Sequence, residues 1–116
     1  MLYQGSCHCG AIAFEVDGEL DQAMECNCSH CSRKGYLLWF VDRANLLLRS
    51  PVESELATYT FNKHAIKHHF CAKCGCAPFG FGNNPKGGST AAVNIRCLEN
   101  LDRTQLKIVQ VDGKSF

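Results

Sequence analysis

The sequence predicts a single small domain built mainly of β-strands. The chain has 116 residues, which suffice for one hydrophobic core but not for two. Short stretches alternate between apolar and polar residues, which is the pattern of half-buried strands. No stretch sustains the 3.6-residue apolar period of an amphipathic helix. We therefore expect residues 1–116 to form one mainly β domain.

Several segments show strand patterns, and turn-forming pairs such as Asp17-Gly18 and Lys34-Gly35 separate them. The clearest is Ala11 to Val16, in which every second residue is a larger apolar one. The predicted strands lie within residues 11–16, 36–41, 57–61, 66–70, 91–97 and 106–111. Short strands joined by turns favour antiparallel pairing, and one or two helical turns within residues 98–105 are the only predicted helix.

Charge and hydropathy argue against two classes of partner. Twelve basic and eleven acidic side chains are dispersed along the chain, so no basic stripe is available to neutralise a row of phosphates. No apolar run approaches the roughly 20 residues of a membrane-spanning helix, and residues 1–5 lack the cationic start of a secretion signal. We therefore expect a cytoplasmic protein that binds neither nucleic acid nor membrane.

Nine cysteines are the most informative feature of the composition. Disulfides are unexpected in a reducing compartment, and an odd number would leave one thiol over, whereas metal ligation by thiolates suits that compartment. Seven of the nine fall in three clusters: Cys7 and Cys9 in C-x-C, Cys26, Cys28 and Cys31 in C-x-C-x-x-C, and Cys71 and Cys74 in C-x-x-C before Gly75. A redox pair is the competing explanation for a lone C-x-x-C, but three clusters favour metal.

The spacing divides these cysteines between two metal ions. Two sulfurs of a C-x-C on a strand lie on one face, and a C-x-x-C followed by glycine has the form of a zinc knuckle. Cys26, Cys28 and Cys31 lie within six residues and can reach one ion by local geometry alone. The remaining two pairs supply the four ligands of a closed structural zinc site, which are Cys7, Cys9, Cys71 and Cys74. We therefore expect two zinc ions per chain, one of which joins the first strand to a distant one.

A three-cysteine site leaves one metal position open. Three thiolates give a zinc site a net charge of about −1, which weakens its power to acidify bound water and disfavours a hydrolase. The same soft ligand set suits a fourth sulfur from a small thiol substrate. Arg33 and Lys34 directly follow the cluster, where they could bind a carboxylate of that substrate or remain solvated surface charges.

Other residues offer alternatives at the second site. Cys76, Cys97 or a histidine could close it, in which case both metals would be structural. His8 and His30 lie within the clusters and could support the metal sulfurs. His68 and His69 are expected on opposite faces of a strand, as packing and surface residues.

With these residues in hand, the sequence resembles the glutathione-dependent formaldehyde-activating enzyme (GFA) family, which also contains the centromere protein V domain. The matching stretches are residues 5–10, 26–35, 70–75 and 92–98. The resemblance implies a β-tent of two antiparallel sheets around zinc sites. It also implies structural zinc at the four cysteines named above and a catalytic zinc at Cys26, Cys28 and Cys31.

Two functional hypotheses follow. The resemblance implies a zinc-dependent carbon–sulfur lyase that acts on an adduct of glutathione or a similar thiol, such as S-hydroxymethylglutathione, which forms from glutathione and formaldehyde. The alternative is a non-catalytic zinc-stabilised binding module in which both metals are structural. Coordination of the second metal in the presence of thiol distinguishes them.

Overall fold

The fold consists of two β-sheets and one short helix in the computed structural model, which describes residues 1–83 and 87–115. The strands are β1 (Leu2–Ser6), β2 (Ala13–Asp17), β3 (Gln22–Cys26), β4 (Leu38–Asp42), β5 (Leu46–Ser50), β6 (Ala57–Tyr59), β7 (Lys67–Phe70), β8 (Phe79–Asn83), β9 (Ser89–Asn94) and β10 (Lys107–Val111). The helix α1 is Ser29–Lys34. The predicted mainly β class is confirmed.

The small sheet has the order β1-β2-β5 and the large sheet the order β10-β3-β4-β9-β8-β7-β6. All of these pairings are antiparallel except one, because β10 runs parallel to β3 at the edge of the large sheet. Parallel neighbours need a long crossover connection, and almost the whole large sheet is built between these two strands. The expectation of purely antiparallel sheets is thus wrong at this edge. Val111 lies opposite Cys26 in that pair, so β10 reaches the second cysteine cluster.

Each predicted strand segment overlaps a strand, whereas the predicted helical segment contains only a 3-10 turn. Residues 98–105 form no α-helix; short 3-10 turns at Ile95–Cys97 and Arg103–Gln105 border or overlap them. The α-helix instead lies inside the second cysteine cluster and ends at Gly35, whose φ is 71°. A helix of six residues is too short to show a period, and its N-cap is Cys28 rather than one of the usual Ser, Thr, Asp or Asn caps.

The hydrophobic core lies between the two sheets. Phe14 of the small sheet meets Phe79 of the large sheet edge to face, with ring centroids 5.2 Å apart. Tyr3 and Trp39 form a second such pair across the sheets at 5.6 Å. The neighbouring residues Val16 and Val93 are fully buried. Large side chains on one face of each sheet therefore hold the two layers together.

Within residues 1–83 and 87–115, no further sheet covers the opposite face of the large sheet. On β4, Trp39 is buried while Phe40 is 48% exposed, as expected for a strand with one buried face. Ala92 and Gly80 lie beside Phe40 on this outer face, across β9 and β8. This face is where the second cysteine cluster lies. Within the described residues, no helix has the length and apolarity to cross a membrane.

Gly5→Ala is expected to destabilise the fold. Gly5 lies opposite Phe14 in the β1–β2 register, and a Cβ there would overlap the Phe14 ring and lie 3.0 Å from the carbonyl oxygen of Cys97. Forcing a methyl group into a packed core costs about 1–3 kcal/mol. Urea denaturation should show this loss in the free energy of unfolding. Gly82→Ala is the control, since its nearest neighbour would be Cγ1 of Ile66 at 3.6 Å and its cost should be smaller.

Candidate metal centres and their cavity

The first cysteine cluster joins the two sheets. Cys7 and Cys9 lie in the turn after β1, and Cys71 and Cys74 in the turn after β7. Their four sulfurs all lie within 4.8 Å of one another, with Cys9 Sγ 3.7 Å from Cys7 Sγ and 3.5 Å from Cys71 Sγ. Zinc–sulfur bonds of about 2.3 Å in a tetrahedron require sulfurs roughly 3.8 Å apart. The four sulfurs therefore fit one tetrahedral metal ion.

Backbone N–H groups point at these sulfurs. The N–H groups of Cys74 and Lys73 donate to Cys71 Sγ, and in that order they lower the pKa of Cys71. The N–H groups of Cys76 and Cys9 lower the pKa of Cys74 to about 5. Hydrogen bonds of this kind favour thiolate over thiol, which is the form that binds metal.

Glycine completes both turns of the first cluster. Gly75 has a φ of 81°, as expected for a zinc knuckle, and its N–H donates to the carbonyl oxygen of Cys71 at 2.9 Å. Gly10, with a φ of 84°, closes a similar turn onto Cys7. The C-x-C pair is therefore in a tight turn rather than on a strand as predicted. A turn brings sulfurs two residues apart closer than a strand does, since strand positions two apart are about 6.6 Å apart.

The second cluster is built from the end of a strand and the start of a helix. Cys26 ends β3, Cys28 is the N-cap of α1, and Cys31 lies in the first turn of that helix. Their three sulfurs lie within 4.8 Å of one another, and all three residues are half-buried. The N–H of Cys31 donates to Cys28 Sγ at 3.2 Å, and the N–H of Cys28 to Cys26 Sγ at 3.5 Å. These sulfurs could hold one metal ion with a position to spare.

Burial acts differently on two of these thiols. Desolvation is the largest influence on Cys28 and opposes its ionisation, but hydrogen bonds from the N–H and thiol of Cys31 outweigh it and lower its pKa. Burial raises the pKa of Cys31 well above its usual range, with the neighbouring Cys28 adding to the effect. Cys28 is thus more readily ionised than Cys31 in the absence of metal, and a bound cation would favour the thiolate form of its ligands.

The chain following β10 packs against the second cluster. Asn27 Nδ2 donates to Asp112 Oδ1 at 2.9 Å, and Asn27 Oδ1 accepts from the backbone N–H of Lys114 at 2.9 Å. These bonds hold Gly113 so close to Cys26 that a Cβ at Gly113 would overlap the Cys26 sulfur. No sequence pattern indicates this contact, because the partners are more than 80 residues apart.

A cavity of about 490 Å³ opens beside the three sulfurs. Its wall contains Cys26, Cys28 and Cys31, apolar side chains from the outer face of the large sheet, and residues 61–63 and Ile66 from the chain between β6 and β7. A second cavity of about 660 Å³ adjoins it and shares Tyr36, Phe61 and His68 with it. Burial, followed by the charge of Cys31, raises the pKa of Tyr36 to about 12, so its phenol is a hydrogen-bond donor here.

Two histidine rings pack against each other at a tilt where the cavities meet. The rings of His30 and His68 have centroids 4.3 Å apart, and Tyr59 and Phe61 pack against His30. Burial, followed by the nearby His30, lowers the pKa of His68 to about 4, so it is neutral at pH 7. Neither ring nitrogen of His30 has a hydrogen-bond partner among the described residues. Sequence patterning assigned His68 to packing or surface, whereas it lines both cavities.

His69 points to the opposite face of β7, into the core, as the alternation predicts. It is 3% exposed, and its Nδ1 lies 3.0 Å from Thr58 Oγ1. His8 is exposed in the turn between Cys7 and Cys9.

Arg33 and Lys34 lie at the end of α1 and line the larger cavity. Arg33 Nη1 donates to the carbonyl oxygen of Ser29 at 2.8 Å, and Lys34 Nζ lies 5.5 Å from the centre of the Phe70 ring. Both residues are exposed, so their charges are available to a ligand.

Neither Cys76 nor Cys97 joins either sulfur cluster in the described chain. Burial raises the pKa of Cys97 to about 11, which marks it as a neutral thiol.

Comparison with known proteins agrees with this geometry. The family model described as glutathione-dependent formaldehyde-activating enzyme matches residues 2–110, which is nearly the whole chain. The chain belongs to the GFA family. A solved structure of a Rhodobacter sphaeroides protein is similar to this GFA-family chain, with a TM-score of 0.78 and 27% sequence identity. That likeness covers 93% of this chain and 99% of the Rhodobacter chain. The β fold and both cysteine clusters thus belong to a GFA-family domain.

Proposed function

We propose that this protein is a zinc-dependent carbon–sulfur lyase that acts on an adduct of glutathione or a similar thiol, such as S-hydroxymethylglutathione. The observation that carries this proposal is the second cluster. Three cysteine sulfurs lie within 4.8 Å of one another, no fourth ligand joins them within the described residues, and they face a cavity. A metal ion there would have one position for a substrate sulfur.

We assign zinc to both clusters because of their donor atoms. Thiolates alone in tetrahedral spacing suit zinc, which needs no redox partner and tolerates an open fourth position. Cys7, Cys9, Cys71 and Cys74 would hold a structural ion, and Cys26, Cys28 and Cys31 a second one. The second ion would supply a site that stabilises the substrate sulfur as thiolate. Nine free cysteines also favour a reducing compartment, and we propose a cytoplasmic location.

The proposed reaction breaks one carbon–sulfur bond. The hydroxyl group of the adduct loses its proton, its oxygen forms a C=O bond, and the C–S electron pair returns to sulfur. Reversal joins glutathione and formaldehyde. Tyr36 is a neutral donor and His68 a neutral acceptor on the cavity wall, so together they could orient the hydroxyl group.

Arg33 and Lys34 are proposed to bind the carboxylates of glutathione. Both line the larger cavity, which adjoins the three sulfurs through Tyr36. Glutathione carries its two carboxylates at the ends of a short peptide, away from the sulfur. Exposed cations in the cavity that adjoins the sulfur site suit that distribution of charge.

A cobalt-substituted sample tests the proposal. We expect millimolar glutathione to change the sulfur-to-cobalt absorption of the wild-type protein, because a fourth thiolate enters the second site. S-methylglutathione, whose sulfur is blocked, should cause no such change. Cys28→Ser should remove the response to glutathione. A wild-type spectrum that glutathione leaves unchanged would contradict the proposal and favour two structural metals.

A further inference from the structure

The outer face of the large sheet has a depression beside the second cluster. One row of residues crosses four neighbouring strands in register: His68 on β7, Gly80 on β8, Ala92 on β9 and Phe40 on β4. The two central members of the row carry no atoms beyond Cβ, while the outer two carry large rings. Small residues between large ones leave a hollow over the middle strands.

The hollow continues to the cysteines along β3 and β4. Met24 lies opposite Leu38 in the β3–β4 pair, two residues before Cys26. We call the combined surface the apolar trough, and its lining residues are Met24, Leu38, Phe40, Ile66, Gly80 and Ala92. All six are apolar residues. The trough therefore runs from the three sulfurs along an apolar surface suited to an apolar group, while Tyr36, Asn62, Lys63 and His68 supply the polar atoms elsewhere on the wall of the same cavity.

The trough is much larger than a formaldehyde unit requires. It forms the apolar part of the wall of a cavity of about 490 Å³, whereas formaldehyde contributes one carbon and one oxygen to an adduct. The polar peptide of glutathione suits the adjoining cavity, where Arg33 and Lys34 lie. The trough is then left for whatever is attached to the substrate sulfur. Phe40 and Ile66 are 48% and 50% exposed on its rim, as expected for surfaces that a ligand covers.

We infer that the substrate is a thiol adduct of an aldehyde with an apolar alkyl or aromatic group, which lies in the apolar trough. This inference rests on the proposed function and names its substrate class. In the joining direction the thiolate sulfur bonds to the carbonyl carbon, the C=O π bond opens, and the oxygen takes a proton from solvent. In cleavage the C–S electron pair returns to sulfur and the aldehyde is released. No oxidant or reductant is consumed.

Stable S-alkyl glutathiones measure the trough separately from the chemistry. Calorimetric titration of the zinc-loaded protein should show S-hexylglutathione binding at least about thirtyfold more tightly than S-methylglutathione, since each fully buried methylene is worth roughly fourfold in affinity. Hexanal should likewise exceed formaldehyde in kcat/KM for reaction with glutathione. Equal affinities of the two S-alkyl compounds would overturn the inference.

Two substitutions locate the effect. Phe40→Ala removes a wall of the trough, and Ala92→Phe fills its floor; each should reduce the preference for the hexyl compound by about tenfold or more. Leu47→Ala is the matched control, because Leu47 is equally apolar and 54% exposed but lies on the small sheet. It should leave the preference unchanged. A preference that survives both trough variants, or that Leu47→Ala also removes, would contradict the inference.

The cobalt spectrum distinguishes failure of the proposed function from failure of the inference about the apolar trough. If glutathione changes the cobalt spectrum but hexyl and methyl compounds bind equally, the proposed function stands and the apolar trough has no role in recognition. If glutathione leaves the spectrum unchanged, the proposed function fails, and the inference that depends on it fails too.

Discussion

Replacing Cys74 by serine is expected to unfold the protein at physiological temperature. Cys74 belongs to the cluster that joins the turn after β1 in the small sheet to the turn after β7 in the large sheet. Apparent binding energies for structural zinc are about 10–16 kcal/mol, as large as the whole stability of a small domain, which is about 5–15 kcal/mol. Circular dichroism on heating, with a zinc count per chain, measures the result. Chelation of the wild-type protein should have the same effect.

Cys97→Ser provides the control for this experiment. Cys97 is also half-buried, and its thiol is neutral, but it lies outside both sulfur clusters. We expect this variant to keep two zinc ions and a thermal midpoint close to that of the wild type. A Cys74→Ser protein that melts cooperatively near the wild-type temperature would show that the first cluster is dispensable for folding.

Local spacing predicted the grouping of sulfurs because the chain between them is short. The sulfurs of Cys26, Cys28 and Cys31 can come together without help from distant residues. Gly75 indicates the tight turn that brings Cys71 and Cys74 together. Cys7 and Cys9 were assigned to the first site only because, with Cys71 and Cys74, they complete the four ligands of a closed zinc site. Their partners lie more than 60 residues away, so only the folded chain shows that the four sulfurs meet.

Features that depend on the order of strands in the sheet could not be predicted from sequence patterns. The strand pattern of β8 is hidden by its alternating glycines, yet one of them, Gly80, lies beside Ala92 and shapes the apolar trough. From the sequence alone, His68 has the pattern of an ordinary strand residue. Only the folded chain shows that β6 places Tyr59, and α1 places His30, beside it. Pairing across strands, rather than the composition of any one strand, creates this cavity.

Gly113→Ala is expected to empty the second metal site and leave the fold intact. The new Cβ would overlap the sulfur of Cys26 and lie 3.4 Å from Cβ of Cys28. Because the overlapping atom is a sulfur of the second cluster, either Cys26 or the chain after β10 must move. Displacement of one of only three sulfur ligands is expected to prevent metal binding at this site. The first cluster uses none of these residues. Zinc per chain should fall from two to one, and turnover of the glutathione adduct should fall by at least about 100-fold.

Lys114→Ala tests whether the effect comes from the position of the Cβ rather than from disturbance of the chain. Lys114 is exposed and contributes its backbone N–H, not its side chain, to the hydrogen bond with Asn27. This variant should therefore keep two zinc ions and the response of its cobalt form to glutathione.

Gly113→Ala should keep a thermal midpoint near that of the wild type, because the first cluster and the core remain in place. If Gly113→Ala protein retains two zinc ions, the chain after β10 does not support the second site. If instead it unfolds, the two clusters depend on each other, and the division into a structural site and an open site is wrong.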